Sequence, residues 1–354
     1  MMPIFRLRSR FRRRPARRQR ALRRSTRAAL SIEVLQPRQL LAFDVGVVAD
    51  INTYPDWRGS KPGNFTEVGS TLFFTATTVK NGNELWKTDG TEEGTTQVTD
   101  IYSVPRGWLG TLGPNPTIGS NPSNLTNVGG TLYFSVDRGY YGSELWTSDG
   151  TATGTQPVKL IPGLAQNLNQ RENVFSSFTN VGGQLFFTSS DLDRGEELWT
   201  SDGTADGTRL VTDVLPGTAS SAPANLTDVD GTLYFTANDG THGIELWISD
   251  GTSAGTHLVS DINGGSAWSS PSNLTNVDGT LYFTANDTTH GIELWTSDGT
   301  VAGTKLVHDI NTGFRSSSPS GLLNVGGTLY FSAYDEAYGA ELRTIDSMDA
   351  GTLW

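Results

Sequence analysis

The chain has 354 residues, and its 41 Gly, 15 Pro and 10% aromatic residues favour many short strands and tight turns over a helical bundle. It has no cysteine, which excludes disulfides, thiol catalysis and Cys-ligated metals, and no apolar run of about 18 residues that predicts a membrane-spanning helix. Residues 1–30 hold 12 Arg and no acidic residue, whereas the remainder carries 14 Lys+Arg against 37 Asp+Glu. So acidic a body repels phosphate backbones, and we expect it to bind no nucleic acid.

The segment 1–42 is rich in arginine and is predicted to be a disordered export or targeting segment. Residues 28–42 are too polar for the apolar core of a secretory signal, which needs about 7–15 apolar residues. Residues 35–41, with the sequence LQPRQLL, resemble the LEPR-XLL segment of planctomycete-type surface and secreted proteins, with Gln36 where that family has Glu. This resemblance implies export, so the expected location is secreted or cell-surface.

The rest of the chain, residues 43–354, is repetitive. The tripeptide Glu-Leu-Trp begins at residues 84, 144, 197, 245 and 293, and a degenerate Glu-Leu-Arg begins at residue 341. The last three intervals are 48 residues each, and insertions at 105–120 and 164–173 lengthen the two earlier ones. Six copies of one unit are therefore predicted.

Each unit is predicted to form four short strands. In the copy at 272–310, strand-like segments at 273–277, 280–285, 292–296 and 305–310 are separated by turn residues, and the first turn is Asp278-Gly279. Four antiparallel strands per repeat of about 40–50 residues are typical of a β-propeller blade. We predict an all-β fold, a six-bladed β-propeller of four-stranded antiparallel blades.

The fourth strand of the last blade is predicted to come from the N-terminal side of the repeats. Little sequence follows the sixth copy, but residues 45–51 end in Ala49-Asp50-Ile51 and match the fourth strands of later copies, such as 305–310. This strand would close the ring and leave no exposed sheet edge. An open array of repeats, and a ring whose partner repeats lie outside this chain, remain alternatives.

The octapeptide Glu-Leu-Trp-x-x-Asp-Gly-Thr resembles the repeat of the bacterial ELWxxDGT family. It is intact at 84–91, 144–151, 197–204, 245–252 and 293–300. The copy at 341–348 departs from it. The resemblance implies a repeat-built surface or secreted protein and implies no reaction.

The recurring side chains are predicted to serve the structure. The tryptophans should pack between blades, with sugar stacking as the alternative. The glutamates should accept hydrogen bonds, with a cation-binding ring as the alternative, and the Asp of each Asp-Gly-Thr should cap a turn. A second set of aspartates ends the fourth strands and leaves a structural calcium ion as an alternative. This set is Asp50, Asp100, Asp213, Asp261 and Asp309.

No arrangement of residues typical of catalysis is found in the sequence. His242 and His290 occupy the same hairpin in adjacent repeats, and His257 and His308 lie in fourth strands, so all four are expected to be ordinary solvated residues. There is no Gly-x-Ser-x-Gly elbow, phosphate-binding loop or dinucleotide fingerprint. We therefore assign no catalytic, cofactor-binding or metal-binding residues.

The sequence thus favours a non-catalytic extracytoplasmic module for protein recognition or surface scaffolding. It would act as a monomer, and its partner would be an extracellular protein or glycan. One alternative is a lectin-like propeller that binds carbohydrate at the hairpins 238–243 and 286–291. The other is an enzyme whose site lies in the non-repeated segments 102–120, 137–141 and 164–173. The candidates there are Arg106, Trp108, Tyr140, Tyr141 and Arg171.

Overall fold

A computed structural model describes residues 46–53, 59–101, 119–137, 142–161, 175–191 and 193–346. The body from Val47 onward groups as one unit, and the arginine-rich segment 1–42 lies outside the described residues. Within the described part of the chain all regular structure is β, and no helix there is long and apolar enough to cross a membrane.

The strands form six sheets. Sheet 1 contains β1 (Gly63–Val68), β2 (Thr71–Thr78), β3 (Gly82–Thr88) and β4 (Thr96–Gln97). Sheet 2 contains β5 (Ser123–Val128), β6 (Thr131–Asp137), β7 (Ser143–Ser148) and β8 (Gln156–Ile161). Sheet 3 contains β9 (Phe175–Val181), β10 (Gln184–Asp191), β11 (Gly195–Ser201) and β12 (Arg209–Thr212).

The later sheets repeat this order. Sheet 4 contains β13 (Ala224–Val229), β14 (Thr232–Asn238), β15 (Ile244–Ser249) and β16 (His257–Ser260). Sheet 5 contains β17 (Ser272–Val277), β18 (Thr280–Asn286), β19 (Ile292–Ser297) and β20 (Lys305–His308). Sheet 6 contains β21 (Ser320–Val325), β22 (Thr328–Asp335) and β23 (Gly339–Asp346).

Within each sheet the strands pair antiparallel in chain order. The prediction of an all-β propeller with six blades of this topology is confirmed. The hairpin predicted at residues 278–279 is also present, because Asp278 and Gly279 take φ values of 49° and 83°. Positive φ at both central residues is what the two-residue turns of twisted hairpins require.

The core lies between consecutive sheets. Val277, Tyr282 and Leu294 of sheet 5, for example, pack against Leu329 and Phe331 of sheet 6. The second strands supply much of this surface. In an inner sheet both faces are covered, so residues of high β propensity are buried on both sides of the second strand.

The first strands of neighbouring sheets lie side by side, and asparagine side chains join them. The amide of Asn276 donates to the carbonyl of Asp228, and the amide of Asn324 donates to the carbonyl of Asn276. The first strands therefore lie innermost around the axis of the propeller.

The structure differs from the sequence prediction at the closing strand. Residues 46–53 form no strand, and Val47–Ile51 lies along sheet 1, where it lines a groove with Phe65, Leu72 and Phe74. Sheet 6 consequently has three strands in the described residues. The apolar contact with sheet 1 is the one that a fourth strand also makes, because Val307 and Ile310 pack in the same way against Leu329 and Phe331 of sheet 6.

Candidate functional site

Four of the recurring glutamates fasten one sheet to the next. In sheet 4, Glu245 is fully buried. Its Oε1 accepts a hydrogen bond from the N–H of Ser269 at 2.8 Å, and its Oε2 accepts from the hydroxyl of Ser269 at 2.5 Å and from the N–H of Ile262 at 3.2 Å. Ile262 follows the fourth strand of the same sheet, and Ser269 precedes the first strand of the next sheet. We call this arrangement the latch.

The latch recurs with the same geometry in other sheets. Its further members are Glu84 with Ile101 and Ser120, Glu197 with Val214 and Ser221, and Glu293 with Ile310 and Ser317. The prediction that these glutamates accept structural hydrogen bonds is confirmed. The sequence analysis missed the serines, although Ser221, Ser269 and Ser317 each follow their glutamate by 24 residues.

For the two remaining glutamates the described residues show other surroundings, and the linker 162–174 that follows the sheet of Glu144 lies outside them. Glu144 is half-buried and accepts a hydrogen bond from the indole N–H of Trp146 at 3.1 Å. Glu341 on β23 is exposed. The six glutamates therefore do not form one ring of equivalent carboxylates.

Burial raises the pKa of the latch glutamates. For Glu84 the pKa rises to about 7, because desolvation of the charged form outweighs the hydrogen bonds from Ser120 and Ile101. The same cause raises the pKa of Glu197, Glu245 and Glu293. Latch carboxyls therefore take up protons at a higher pH than ordinary glutamates do.

We expect the protein to melt at a higher temperature near pH 5 than near pH 8. A carboxyl whose pKa is raised by folding stabilises the folded state fully below about pH 4.5, and this contribution is lost as the pH rises through about 7 for Glu84. The histidines His242 and His290 act in the same direction, because their pKa values are raised from 6.5. Thermal unfolding followed by circular dichroism between pH 4.5 and 8.5 measures the effect.

The matched variant for this experiment is Glu84→Gln, which removes the titrating group from one latch. Its melting temperature should depend less steeply on pH than that of the unmodified protein. A melting temperature that stays level or rises between pH 5 and pH 8 in the unmodified protein would contradict the expectation.

The recurring tryptophans pack between sheets, as predicted. Trp247 of sheet 4 lies in one cluster with Phe186 and Val211 of sheet 3, and Trp295 of sheet 5 lies in one with Tyr234 of sheet 4. Only 9% of the surface of either tryptophan is exposed, which leaves little ring face for stacking on a sugar. Within the described residues, four indole N–H groups are buried without a hydrogen-bond partner. They belong to Trp86, Trp199, Trp247 and Trp295.

The aspartates of the Asp-Gly-Thr segments cap turns, as predicted. In sheet 5, Oδ1 of Asp298 accepts from the hydroxyl of Thr300 at 2.7 Å and from its N–H at 2.9 Å, and these bonds lower the pKa of Asp298. A Cβ atom added to Gly303 would lie 1.9 Å from Oδ1 of Asp298, so this turn requires glycine there. The same bonds recur at Asp89, Asp149, Asp202 and Asp250.

The second set of aspartates serves the linkers that follow the fourth strands. Oδ2 of Asp261 accepts from the N–H of Gly265, and Oδ2 of Asp309 accepts from the N–H of Gly313. Among the described residues, Oδ1 of Asp213 and Oδ1 of Asp309 are buried without a hydrogen-bond partner. The described part of the chain contains no group of three or more His, Asp or Glu side chains arranged to hold a metal ion.

The hairpin histidines pair with an aspartate three residues earlier. Nδ1 of His242 lies 2.7 Å from Oδ2 of Asp239, and Nδ1 of His290 lies 2.7 Å from Oδ2 of Asp287. This hydrogen bond raises the pKa of each histidine. The hairpins 238–243 and 286–291 are thus equivalent, but their polar side chains bind one another.

The other side chains of this hairpin type, and the remaining histidines, also have ordinary surroundings. In sheet 3, Arg194 pairs with the corresponding Asp191 at 3.0 Å, and in sheet 6 Arg343 pairs with Asp335. The aspartate thus shapes the hairpin whichever side chain faces it. His257 and His308 lie exposed on β16 and β20, as predicted.

The loops at one end of the sheets have constant lengths. The turns between first and second strands are residues 69–70, 129–130, 182–183, 230–231, 278–279 and 326–327. The loops between third and fourth strands, which contain the Asp-Gly-Thr segments, are residues 89–95, 149–155, 202–208, 250–256 and 298–304. We call the end formed by these loops the constant face.

The loops at the opposite end vary. Loops between second and third strands, such as 192–194 and 239–243, have three or five residues. Linkers from one sheet to the next have 11 residues at 261–271 but 13 at 162–174 and 25 at 98–122. The two kinds of loop contact each other, since the hydroxyl of Thr288 donates to Oδ1 of Asn263 at 3.1 Å. We call this end the variable face.

The non-repeated segments of the sequence lie between described strands. The candidate residues Arg106, Trp108, Tyr140, Tyr141 and Arg171 lie outside the described residues. The described strands on either side of each segment are the second and third strands of one sheet, or the last strand of one sheet and the first strand of the next.

An apolar groove of about 350 Å³ lies on the face of sheet 1 that corresponds to the face of sheet 6 packed against sheet 5. Val47, Val48 and Ile51 form one wall, and Phe65 and Leu72 form the other. Val47 is 87% exposed and Phe65 is 59% exposed, so this groove is an uncovered part of the surface.

Comparison with protein-family models and with curated proteins finds no match. Several solved structures are similar to this chain. A puromycin hydrolase mutant is 15% identical with a TM-score of 0.39, and a prolyl endopeptidase is 13% identical with a TM-score of 0.48. A puromycin-hydrolyzing peptidase of Mycobacterium tuberculosis is 12% identical with a TM-score of 0.40.

These similarities cover most of this chain but only part of the other proteins. They include 83%, 80% and 81% of this chain, and 53%, 41% and 42% of the hydrolase mutant, the endopeptidase and the mycobacterial peptidase, respectively. The chain therefore spans about half the length, or less, of these structures.

The prediction of an extracytoplasmic module for protein recognition or surface scaffolding is corrected by this comparison. The similar structures are a hydrolase and peptidases by name, and not surface-recognition or scaffold modules. The carbohydrate-binding alternative depended on pockets at the two hairpins, whose aspartate and histidine side chains are instead paired with each other.

Proposed function

We propose that this chain is the substrate-handling propeller of a peptidase-related protein, and that its variable face binds polypeptide without cleaving it. The observation that carries the proposal is the contrast between the two ends of the sheets. Loop lengths are constant at the constant face and differ from sheet to sheet at the variable face. In a rigid scaffold, loops that vary while the framework repeats are the usual place of binding residues.

Polypeptide is the class of ligand to test first, since the similar structures are peptidases and a hydrolase. The charge of the chain favours basic segments, because the residues after 30 carry 37 acidic against 14 basic side chains. Exposed carboxylates at the variable face include Asp193, Asp261 and Glu336.

The described residues favour binding over cleavage. Each hairpin histidine is oriented by an aspartate, but none of the hydrogen bonds of His242 or His290 involves a serine hydroxyl. A serine nucleophile needs such a base within hydrogen-bond reach. In this proposal the cleaving unit lies outside the described residues, in another part of the protein or in a partner. Export of the protein stays a prediction from residues 35–41.

We expect an unstructured basic peptide to bind the full chain saturably and to remain intact. Isothermal titration calorimetry with peptides of about 20 residues and opposite net charge, at low and at physiological salt, measures binding, and mass spectrometry reports cleavage. The basic peptide should bind more tightly than the acidic one, and binding should weaken as salt screens the charges. If neither peptide binds, the proposed function is overturned.

Two triple variants test whether binding occurs at the variable face. The first variant combines Asp193→Asn, Asp261→Asn and Glu336→Gln. It removes three charges from the variable face, and we expect its affinity for the basic peptide to fall by about tenfold. Glu92→Gln with Glu93→Gln and Asp206→Asn removes three charges from the constant face and should leave affinity unchanged. Equal loss in both variants would indicate unspecific attraction to an acidic protein and would contradict the assignment of the face.

A further inference from the structure

Sheet 6 carries a latch glutamate that has no latch partners among the described residues. In sheet 5, Glu293 lies opposite Ala285, and in sheet 6 Glu341 lies opposite Ala333, so the two glutamates occupy the same register. Glu293 is fully buried and accepts three hydrogen bonds from the linker that follows its sheet, whereas Glu341 is exposed. No fourth strand pairs with β23 among the described residues.

The missing partners are found ahead of sheet 1. Residues 49–51 repeat the Asp-Ile pattern of 260–262 and 308–310, so Ile51 corresponds to Ile262 and Ile310. Ser60 then corresponds to the latch serines of the later sheets.

The backbone of sheet 1 supports this correspondence. The N–H of Thr77 donates to the carbonyl of Ser60 at 2.7 Å, as the N–H of Asn286 donates to the carbonyl of Ser269 at 2.9 Å. The residue after the serine has a left-handed φ in both places, 48° at Lys61 and 47° at Ser270. The segment at Ser60 therefore already has the conformation found in the formed latches.

The two end sheets expose the complementary halves of the interface that joins all other sheets. Leu342 is 72% exposed, although its equivalent Leu294 is completely buried. Val325 is 54% exposed against 1% for its equivalent Val277. On sheet 1, Leu72 is 36% exposed, although the corresponding leucines of the other sheets are completely buried. These are Leu132, Leu185, Leu233, Leu281 and Leu329.

We propose that sheet 6 closes onto sheet 1 within one chain through a fifth latch, at Glu341. Residues 46–52 pair with β23 as its fourth strand. Glu341 then accepts hydrogen bonds from the N–H of Ile51 and from the N–H and hydroxyl of Ser60. Because Leu294 faces His308 in sheet 5, Leu342 faces Ala49 in the closed ring.

The occupant of this interface is the same chain and not a second copy. The donor segment is joined to sheet 1 by few residues, which gives it a high effective concentration beside sheet 6 once the ring forms. Contact between sheet 6 of one copy and sheet 1 of another would be head-to-tail and would generate larger rings or filaments. Closure also removes an exposed strand edge and covers Leu342, Val325 and Leu72.

A disulfide tests the pairing, because the chain has no cysteine of its own. Directly opposed residues of antiparallel strands lie about 4.5–5.5 Å apart at Cα, within the range of a disulfide. In the full chain, we expect Ala49→Cys with Leu342→Cys to form an intramolecular crosslink on mild oxidation. A monomer of altered mobility on a non-reducing gel identifies it. The positive control is Leu294→Cys with His308→Cys, a pair that is already opposed.

Each outcome of this experiment decides the proposal. An intramolecular bond between residues 49 and 342 supports it. Crosslinked dimers and larger species at low protein concentration would overturn it in favour of head-to-tail assembly. Failure to crosslink, while the positive control does so and both proteins give the same circular dichroism spectrum, would show that the ring stays open.

A second measurement uses the latch residue itself. Glu341→Ala should lower the melting temperature by about 4 °C or more if the residue is buried in a closed ring, as loss of a buried group does in a protein of this kind. The exposed Glu93→Ala on the constant face should have no effect. An unchanged melting temperature in Glu341→Ala would contradict closure through this latch.

Discussion

Replacing Phe235 by alanine is expected to lower the free energy of unfolding by about 3–5 kcal/mol. Phe235 lies on β14, is completely buried, and packs in the cluster between sheets 3 and 4 with Phe186 and Val214. Truncation leaves a cavity between two sheets, because neighbouring sheets with their paired strands cannot move together to fill it. Guanidinium unfolding followed by tryptophan fluorescence measures the loss.

The matched control is Phe314→Ala. Phe314 is 79% exposed in the linker between sheets 5 and 6, so its removal should change stability by less than about 0.5 kcal/mol. If Phe235→Ala were as stable as this control, the interface between sheets 3 and 4 would not carry the energy that its burial indicates. Because stability in repeat proteins adds up sheet by sheet, unfolding in more than one step is compatible with the prediction.

The second large effect is expected from Glu245→Ala, which should lower the free energy of unfolding by about 2–4 kcal/mol near pH 7. The substitution leaves the N–H groups of Ile262 and Ser269 and the hydroxyl of Ser269 without their acceptor. Buried donors without a partner cost about 1–3 kcal/mol each, and removal of a desolvated carboxyl whose pKa is raised offsets part of that cost.

Two measurements separate loss of the latch from a general loss of stability. Hydrogen exchange should speed up first at the amides of Ile262 and Ser269, because they lose their acceptor directly. The exposed Glu93→Ala should leave both exchange and stability unchanged. Exchange that rises uniformly over sheets 4 and 5 without a local maximum would contradict the role assigned to the latch.

The latch also links each repeat to the next one along the chain. One glutamate holds the end of its own fourth strand and the start of the next sheet, so each repeat is complete only when its neighbour is present. Sheets that depend on their neighbours in this way fold as a stack. The groups with raised pKa therefore serve assembly of the propeller, although raised carboxyl pKa values are also found at catalytic sites.

The sequence by itself determined the blades. The Asp278-Gly279 turn, the apolar second strands and the Asp-Gly-Thr loops were predictable, because each depends on residues within about ten positions and on a pattern repeated six times. Packing of Trp247 between sheets followed as well, since both faces of an inner strand in a propeller must be covered.

Only the tertiary structure decided which distant groups meet. The hydrogen bonds from Ser269 to Glu245, the constant and variable faces, and the exposed Leu342 and Val325 arise from how whole sheets stack. Residues 47–51 carry the pattern of a fourth strand, yet they pair with no strand among the described residues. A strand pattern fixes which residues alternate, but its partner depends on the free energy of burying one surface against another, which local sequence does not contain.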